Sequence, residues 1–293
     1  MANIKKQLSK LWFIDAVCLL YCIFMLIIIS LFGGRLPDQL IILSTYSGCV
    51  AGIILCIFLR RFDNPIFKYL TSIYPLILLI PFYEIAGRQV HLFFNGFFDN
   101  YLLAIENAIF PAHPVIWFER FYHPLITEWM MMGYSLYLFL MPIILSWLYF
   151  TNKKKESQFM LSSLLLSLFF CYIMFSIFPV AGPRLIMTDL FGPPLEGYIF
   201  RAFTSQLEAT AMLYGGAFPS AHCAAATVML VLTYRYDRKL FYWILPILIT
   251  LYISTVYGRY HYPIDVLVGI IVGIACIKLT HPARRLWGKI TGA

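Results

Sequence analysis

Eight apolar runs of roughly 17 to 23 residues divide this chain of 293. They are Leu11–Phe32, Leu40–Leu59, Tyr69–Ile85, Met130–Phe150, Gln158–Val180, Pro219–Arg235, Leu240–Tyr257 and Tyr262–Leu279. A helix needs about 20 apolar residues to cross a bilayer, so each run is long enough, or nearly so, to span. The third, sixth and eighth are short. Only 12% of the residues are charged, against about a quarter in a soluble globule, and 61% are hydrophobic. Such a chain has too few charges to cover a water-facing surface. That excludes a soluble enzyme, a disordered chain and a nucleic-acid-binding module. The expected fold is all-α, a polytopic membrane bundle of about eight helices. The first run follows Lys5, Lys6 and Lys10, but its apolar core is too long for a signal peptide and no small-x-small cleavage site follows it. It reads as a retained anchor.

The basic residues test this count independently. With the N-terminus in the cytoplasm and eight alternating spans, 16 of the 22 Lys and Arg fall on the cytoplasmic side, and every lysine is among them. The other side holds Arg35, Arg88, Arg120, Arg184, Arg201 and Arg259. This is the asymmetry that orients membrane proteins, and it places both termini in the cytoplasm. Five of the six histidines (His91, His113, His123, His222, His261) fall on the extracytoplasmic side. A transporter more often keeps its ionisable groups near mid-membrane. Here they gather at one surface, as a site at the membrane–water boundary requires. The seven cysteines lie inside apolar runs without metal-ligand spacing, so they read as small buried residues, and no metal or cofactor is expected.

Two extracytoplasmic stretches carry candidate chemistry. Gly215-Gly216-Ala217-Phe218-Pro219-Ser220-Ala221-His222 opens the sixth span. A helix N-terminus offers unpaired N–H groups and the positive end of the dipole, to which Ser220 adds a hydroxyl and His222 a proton carrier. The bland alternative is a loop-to-helix junction with an interfacial histidine. Thr255-Val256-Tyr257-Gly258-Arg259-Tyr260-His261-Tyr262-Pro263-Ile264-Asp265 breaks at Gly258 and restarts a helix at Pro263. The four-residue spacing of His261 and Asp265 brings them onto one helical face, where a carboxylate holds one imidazole nitrogen protonated and frees the other. The alternative is a structural His–Asp contact. Gly269 and Gly273 form G-x-x-x-G, a close-packing pattern. With arginine available to fork phosphate oxygens, the set suits phosphoryl transfer through a phosphohistidine.

These residues resemble a known family. Phe-Pro-Ser-Ala-His (218–222), followed about 40 residues later by His-Tyr-Pro-Ile-Asp (261–265), looks like the second and third motifs of the type 2 phosphatidic-acid-phosphatase superfamily. Phe178-Pro179-Val180-Ala181-Gly182-Pro183-Arg184 looks like a variant of the first motif, and resembles the branch that includes the inositol phosphorylceramide synthases. The resemblance implies His261 as nucleophile, oriented by Asp265, and His222 as general acid. It implies Ser220 and Arg184 as phosphate ligands, and a six-helix core over residues 69–293. Residues 1–68 would then be two additional helices. Two positions depart from the pattern. Thr255 stands where the third motif usually has arginine, a change the ceramide-synthase branch also tolerates, and Ile177 stands where the first motif usually has lysine. Arg259 is the candidate to supply the missing charge.

Elsewhere on the outer face, residues 89–128 form an apolar loop. Phe93, Phe94, Phe97, Phe98, Tyr101, Leu102, Ile105 and Ile109 suggest an interfacial helix, and Trp117, Phe118, Phe121 and Tyr122 an aromatic belt. Glu84 and Arg88 are candidates for headgroup or acceptor binding, or simply an i,i+4 pair. Asp15 is expected to reach water at the cytoplasmic end of its span. The expected partners are a lipid phosphate substrate and membrane lipids. Short loops fit a bacterial inner membrane. The expected activity is cleavage of a lipid phosphoester or pyrophosphate, with a lean towards headgroup transfer onto a lipid alcohol such as ceramide or diacylglycerol. The alternatives are a plain lipid phosphate phosphatase, a non-catalytic lipid carrier or scramblase, and a serine hydrolase using Ser220. The last lacks a G-x-S-x-G elbow.

Overall fold

A computed structural model describes residues 11–292. The lysines at 5, 6 and 10 lie outside the described residues. The long helices are α1 (Phe13–Phe32), α2 (Gln39–Leu59), α3 (Pro65–Ile73), α4 (Pro75–Arg88), α5 (Asp99–Ile109), α6 (Pro124–Phe150), α7 (Lys154–Ile177), α8 (Ile199–Ala211), α9 (Ala221–Tyr236), α10 (Arg238–Tyr257) and α11 (Pro263–Thr291). Proline stands at the first turn of α3, α4, α6 and α11, where its missing N–H costs nothing. Among the described residues seven helical segments are long and apolar enough to cross a membrane, α3 and α4 acting as one. The protein is thus an integral, multi-pass membrane protein with an all-helical bundle fold.

The sixth apolar run behaves differently from the other seven. Its helix, α9, has 16 residues and so a length of about 24 Å, short of a bilayer core of about 30 Å. It has no need to match the lipid, because α6, α7, α10 and α11 pack around it. Ala224, Ala225, Ala226, Val228 and Met229 are fully buried. Small residues let the neighbours close in. A Cβ added at Gly269 of α11 would lie 2.5 Å from the Ser220 carbonyl oxygen, and one at Gly273 would lie 2.6 Å from that of Ala224. The G-x-x-x-G spacing is therefore the contact between α11 and α9.

Hydrogen bonds define the two ends of the bundle. At one end Lys153 Nζ donates to Tyr236 O and Asp237, both at 2.9 Å, joining the α6–α7 and α9–α10 junctions. Gln158 Nε2 reaches Ser72 O at 2.7 Å, and Trp287 Nε1 reaches Leu11 O at 3.3 Å. Asp15 sits at this end too, but does not reach water as expected. It is fully buried, paired with Arg60 and bonded by Tyr74 OH at 2.8 Å. A buried carboxylate without such partners would be prohibitive, so the ion pair replaces solvent. The opposite end holds the turns after α4, α7, α8 and α10. There Tyr46 OH and Ser176 Oγ both bond Gln89. The helices α1 and α2 share one continuous core with the rest, with the Tyr21 ring stacked on Phe169 at 4.0 Å.

Candidate active site

Three loops converge at that second end, and backbone bonds clasp them. Val180 N donates to Gly215 O at 3.1 Å, and Ala217 N to Val180 O at 3.0 Å. Arg184 N donates to Arg259 O at 2.9 Å. Gly182 has φ +91°, and a Cβ there would lie 2.8 Å from Tyr260 O, so only glycine lets these loops touch. Helix α5 fastens the clasp from outside. Its Asp99 accepts from Ala181 N at 2.8 Å, Gly182 N at 2.9 Å and Tyr262 OH at 3.0 Å. About two turns on, Glu106 accepts from Ile264 N at 3.3 Å, and burial pushes its carboxyl up to about 7. Asp99, Leu102 and Glu106 form the buried face of α5, while Tyr101, Ile105 and Ile109 are exposed. Within the stretch from Phe93 to Ile109 a helix forms only over Asp99–Ile109, and its acidic residues fasten the loops of the clasp.

The clasp closes over a cavity of about 520 Å³. Arg184, His222, His261, Tyr260 and Glu208 line its polar end. Apolar side chains of α4, α6 and α7, among them Leu76, Leu138, Met141 and Leu168, line the remainder. Ile80 and Leu138 are 71% and 43% exposed, so the cavity opens sideways between α4 and α6. The His222 and His261 ring centroids are 5.8 Å apart, and Tyr134 stacks on His222 at 5.1 Å.

His261 is oriented chiefly by a group the sequence did not reveal. Its Nδ1 lies 2.8 Å from the Ala217 carbonyl and 3.5 Å from Asp265 Oδ2. A carbonyl only accepts, so Nδ1 carries the proton and Nε2 keeps a free lone pair. Burial pulls the His261 pKa down to about 4, outweighing the opposite pull of the Ala217 bond, which keeps the ring neutral and nucleophilic at pH 7. Asp265 is fully buried and accepts from Tyr262 N at 2.8 Å, which starts α11.

The remaining sequence candidates separate. Ser220 is buried and its hydroxyl caps α9 by accepting from Cys223 N at 3.3 Å, with no bond to histidine. Arg184 lines the cavity and is clasped by Glu208, Nη2 to Oε2 at 2.7 Å. Arg259 points away from the histidines. Its φ is +65°, which turns the chain back after α10, and its guanidinium bonds Glu119 at 2.8 Å and Pro193 O at 2.7 Å. It lines an outer hollow that shares Arg184 with the cavity, held there by Glu119 and not turned towards the histidines. Thr255 itself is buried, its hydroxyl bonded to Tyr252 O at 2.8 Å. Glu84 and Arg88 pair at 3.0 Å, and Arg88 also bonds Asp38 at 2.7 Å. Both lie outside the cavity lining, which is the simple pair reading of that spacing. The residue that sequence reasoning missed is Glu208. Its signal was the polar stripe Arg201, Thr204, Glu208 along α8, spaced three and four apart on an otherwise amphipathic helix. Among the described residues no three His, Cys, Asp or Glu side chains stand where they could hold one metal ion.

The geometry places one arginine and two histidines at the polar end of an otherwise apolar cavity. No curated protein and no solved structure matches the chain. A family model does: that of the PAP2 superfamily, over residues 100–279, from within α5 into α11. The matched stretch contains Arg184, Ser220, His222, His261 and Asp265. Members of this superfamily are phosphatases or phosphotransferases, so the activity is of that type, on a lipid phosphoester. With its cavity, its paired histidines and a match over more than half its length, the chain belongs to the PAP2 superfamily.

Proposed function

We propose that this protein is a lipid headgroup phosphotransferase working through a phosphohistidine at His261. Nε2 attacks phosphorus, the P–O bond to the departing lipid alcohol breaks, and His222 gives that oxygen a proton. An acceptor hydroxyl then returns a proton to His222 while its oxygen attacks phosphorus and frees Nε2. Arg184 holds the non-bridging oxygens, and the start of α9, capped by Ser220, adds its N–H groups and dipole. Asp265 and Ala217 O steady the positive charge that the ring acquires. The observation that carries the reading is the single cavity that joins two histidines and an arginine to an apolar chamber opening between α4 and α6. A chamber of that kind suits an acyl chain and keeps water from the intermediate.

The same reading takes the last six spans, 69–293, as the catalytic core and residues 1–68 as additions. It puts the histidine end outside the cytoplasm. The clustering of Arg60, Lys153, Asp237 and Trp287 at the opposite end agrees with the basic-residue asymmetry. The test is turnover by purified protein in lipid micelles. Phosphatidate, a prenyl pyrophosphate and phosphatidylinositol are each supplied with and without ceramide or diacylglycerol, and products are read by mass spectrometry. A new phospholipid formed only with acceptor is expected. Phosphate release without acceptor would make the protein a phosphatase, and wild type matching His261→Ala on every lipid would remove the catalytic reading.

A further inference from the structure

The phosphate-binding arginine is already occupied. Arg184 faces Glu208 as an ion pair: Nη2 donates to Oε2 at 2.7 Å, while Nη1 lies 2.5 Å from Oε1 without hydrogen-bond alignment. A phosphate would compete with this carboxylate for the guanidinium. Arg201 approaches the same carboxylate from the outer hollow, at 3.1 and 3.2 Å, and Tyr260 OH donates to it from the cavity wall. Burial opposes the charge on Glu208, but Arg184, Tyr260 and Arg201 outweigh it and hold the carboxyl below its ordinary range. It is an anion at neutral pH.

The charge at the site can then be counted. Within the cavity lining Arg184 is the one guanidinium and Glu208 the one carboxylate, and the His261 ring is neutral. Adding Arg201 behind leaves the Arg184–Glu208–Arg201 group at +1. A lipid phosphodiester carries one negative charge, which this group balances. A phosphomonoester carries between −1.5 and −2 at pH 7, so part of its charge would face the Glu208 carboxylate uncompensated.

We propose that Glu208 is the specificity-determining residue of this site, setting its charge so that a phosphodiester monoanion is bound and a phosphomonoester dianion is rejected. The inference rests on the reading of the Arg184 cavity as the phosphate site. Glu208 does so without touching the reacting bond: it leaves one unit of positive charge for the ligand and repels a second negative charge at contact range. In a half-buried site, one unit charge at that range is worth about one to two powers of ten in affinity.

The test is equilibrium binding of two lipids with the same acyl chains, phosphatidylinositol and phosphatidate, presented in neutral detergent micelles at pH 8. It is run on the His261→Ala protein, so that neither is consumed. The parent should bind the phosphodiester at least about tenfold more tightly, and Glu208→Gln should bring the ratio to near one. Arg201→Gln, which removes a cation while leaving the cavity lining intact, should widen the ratio. It decides the question if Glu208→Gln fails to fold. Equal binding by the parent, or a ratio that neither variant moves, overturns the proposal. Turnover is scored separately on the protein with His261 restored. Phosphodiester-selective binding without turnover would overturn the transferase reading and leave the role of Glu208 standing, whereas a parent that binds neither lipid would overturn both.

Discussion

Gly269→Ala places one methyl group where two helix backbones touch. The new Cβ would lie 2.5 Å from Ser220 O and 3.1 Å from Cys223 Cβ. An ordinary contact is about 3.4 Å, so α11 and α9 must part by about 0.9 Å, because the nearest obstacle is backbone and cannot rotate away. That movement stretches the Ser220 N to Asp265 O bond, now 3.1 Å, and draws Asp265 and His261 away from His222. Overpacking of this kind costs about 1–3 kcal/mol in stability. A misplacement near 1 Å costs on the order of 10²-fold in rate. We expect kcat to fall by about 30- to 100-fold with KM within about threefold, since the Arg184 wall of the cavity is carried by other segments. Gly48→Ala is the internal control. It lies in α2 with nothing within 4 Å of its Cβ, so it should leave turnover intact and gain up to about 1 kcal/mol in helix stability. Lipid turnover in micelles together with thermal unfolding reads both. A Gly269→Ala protein with kcat within threefold of wild type and an unfolding temperature equal to that of the control would refute the packing argument.

Three further outcomes follow from named contacts. Arg60→Ala strands the buried Asp15 carboxylate and should lower stability by about 3–5 kcal/mol, visible as a drop in the unfolding temperature, and an unchanged temperature would contradict the pair. His261 is held neutral down to about 4, so its ring resonances in NMR should show protonation only as pH drops through about 4, and a midpoint at 6.5 would show an unburied ring. The same depressed value means that the unfolded chain takes up the proton first. Stability should therefore be full above about 6.5 and decline from there towards 4. Glu84→Gln and Arg88→Gln, which break a pair outside the cavity, should leave turnover within about twofold, and a loss beyond tenfold would return those residues to the site.

Much of this was legible before the structure. Apolar run length disclosed the bundle, because it follows from the thickness of a bilayer. Three of the candidate residues, Arg184, His222 and His261, do line one cavity, and each sits close to a proline or glycine that breaks a helix. The glycine pair predicted its own close contact. What stayed hidden runs through the backbone or across long separations. The Ala217 carbonyl that orients His261 has no side-chain signature, and it lies 44 residues away. Asp99 and Glu106 bond backbone groups 82–83 and 158 residues away, which local sequence does not show. Arg259 was matched to the site by proximity in sequence, but its positive φ sends it to Glu119. Glu208 and Arg201 share one helical face, yet charged residues on an amphipathic helix usually face water, and only the cavity shows that Glu208 faces inward, with Arg201 behind it in the outer hollow.

The central claim is that His261 becomes covalently bonded to phosphorus while His222 moves the proton. The direct measurement uses a lipid phosphodiester whose leaving group is an activated aryl alcohol that departs without a proton. His222→Ala should then attack normally but fail to activate the acceptor, so the adduct accumulates. Rapid acid-free quenching and peptide mass spectrometry should find an acid-labile, base-stable phosphoryl group, with its headgroup attached, on His261 alone. A substrate turned over with no adduct, or with the adduct on another residue, would contradict the mechanism.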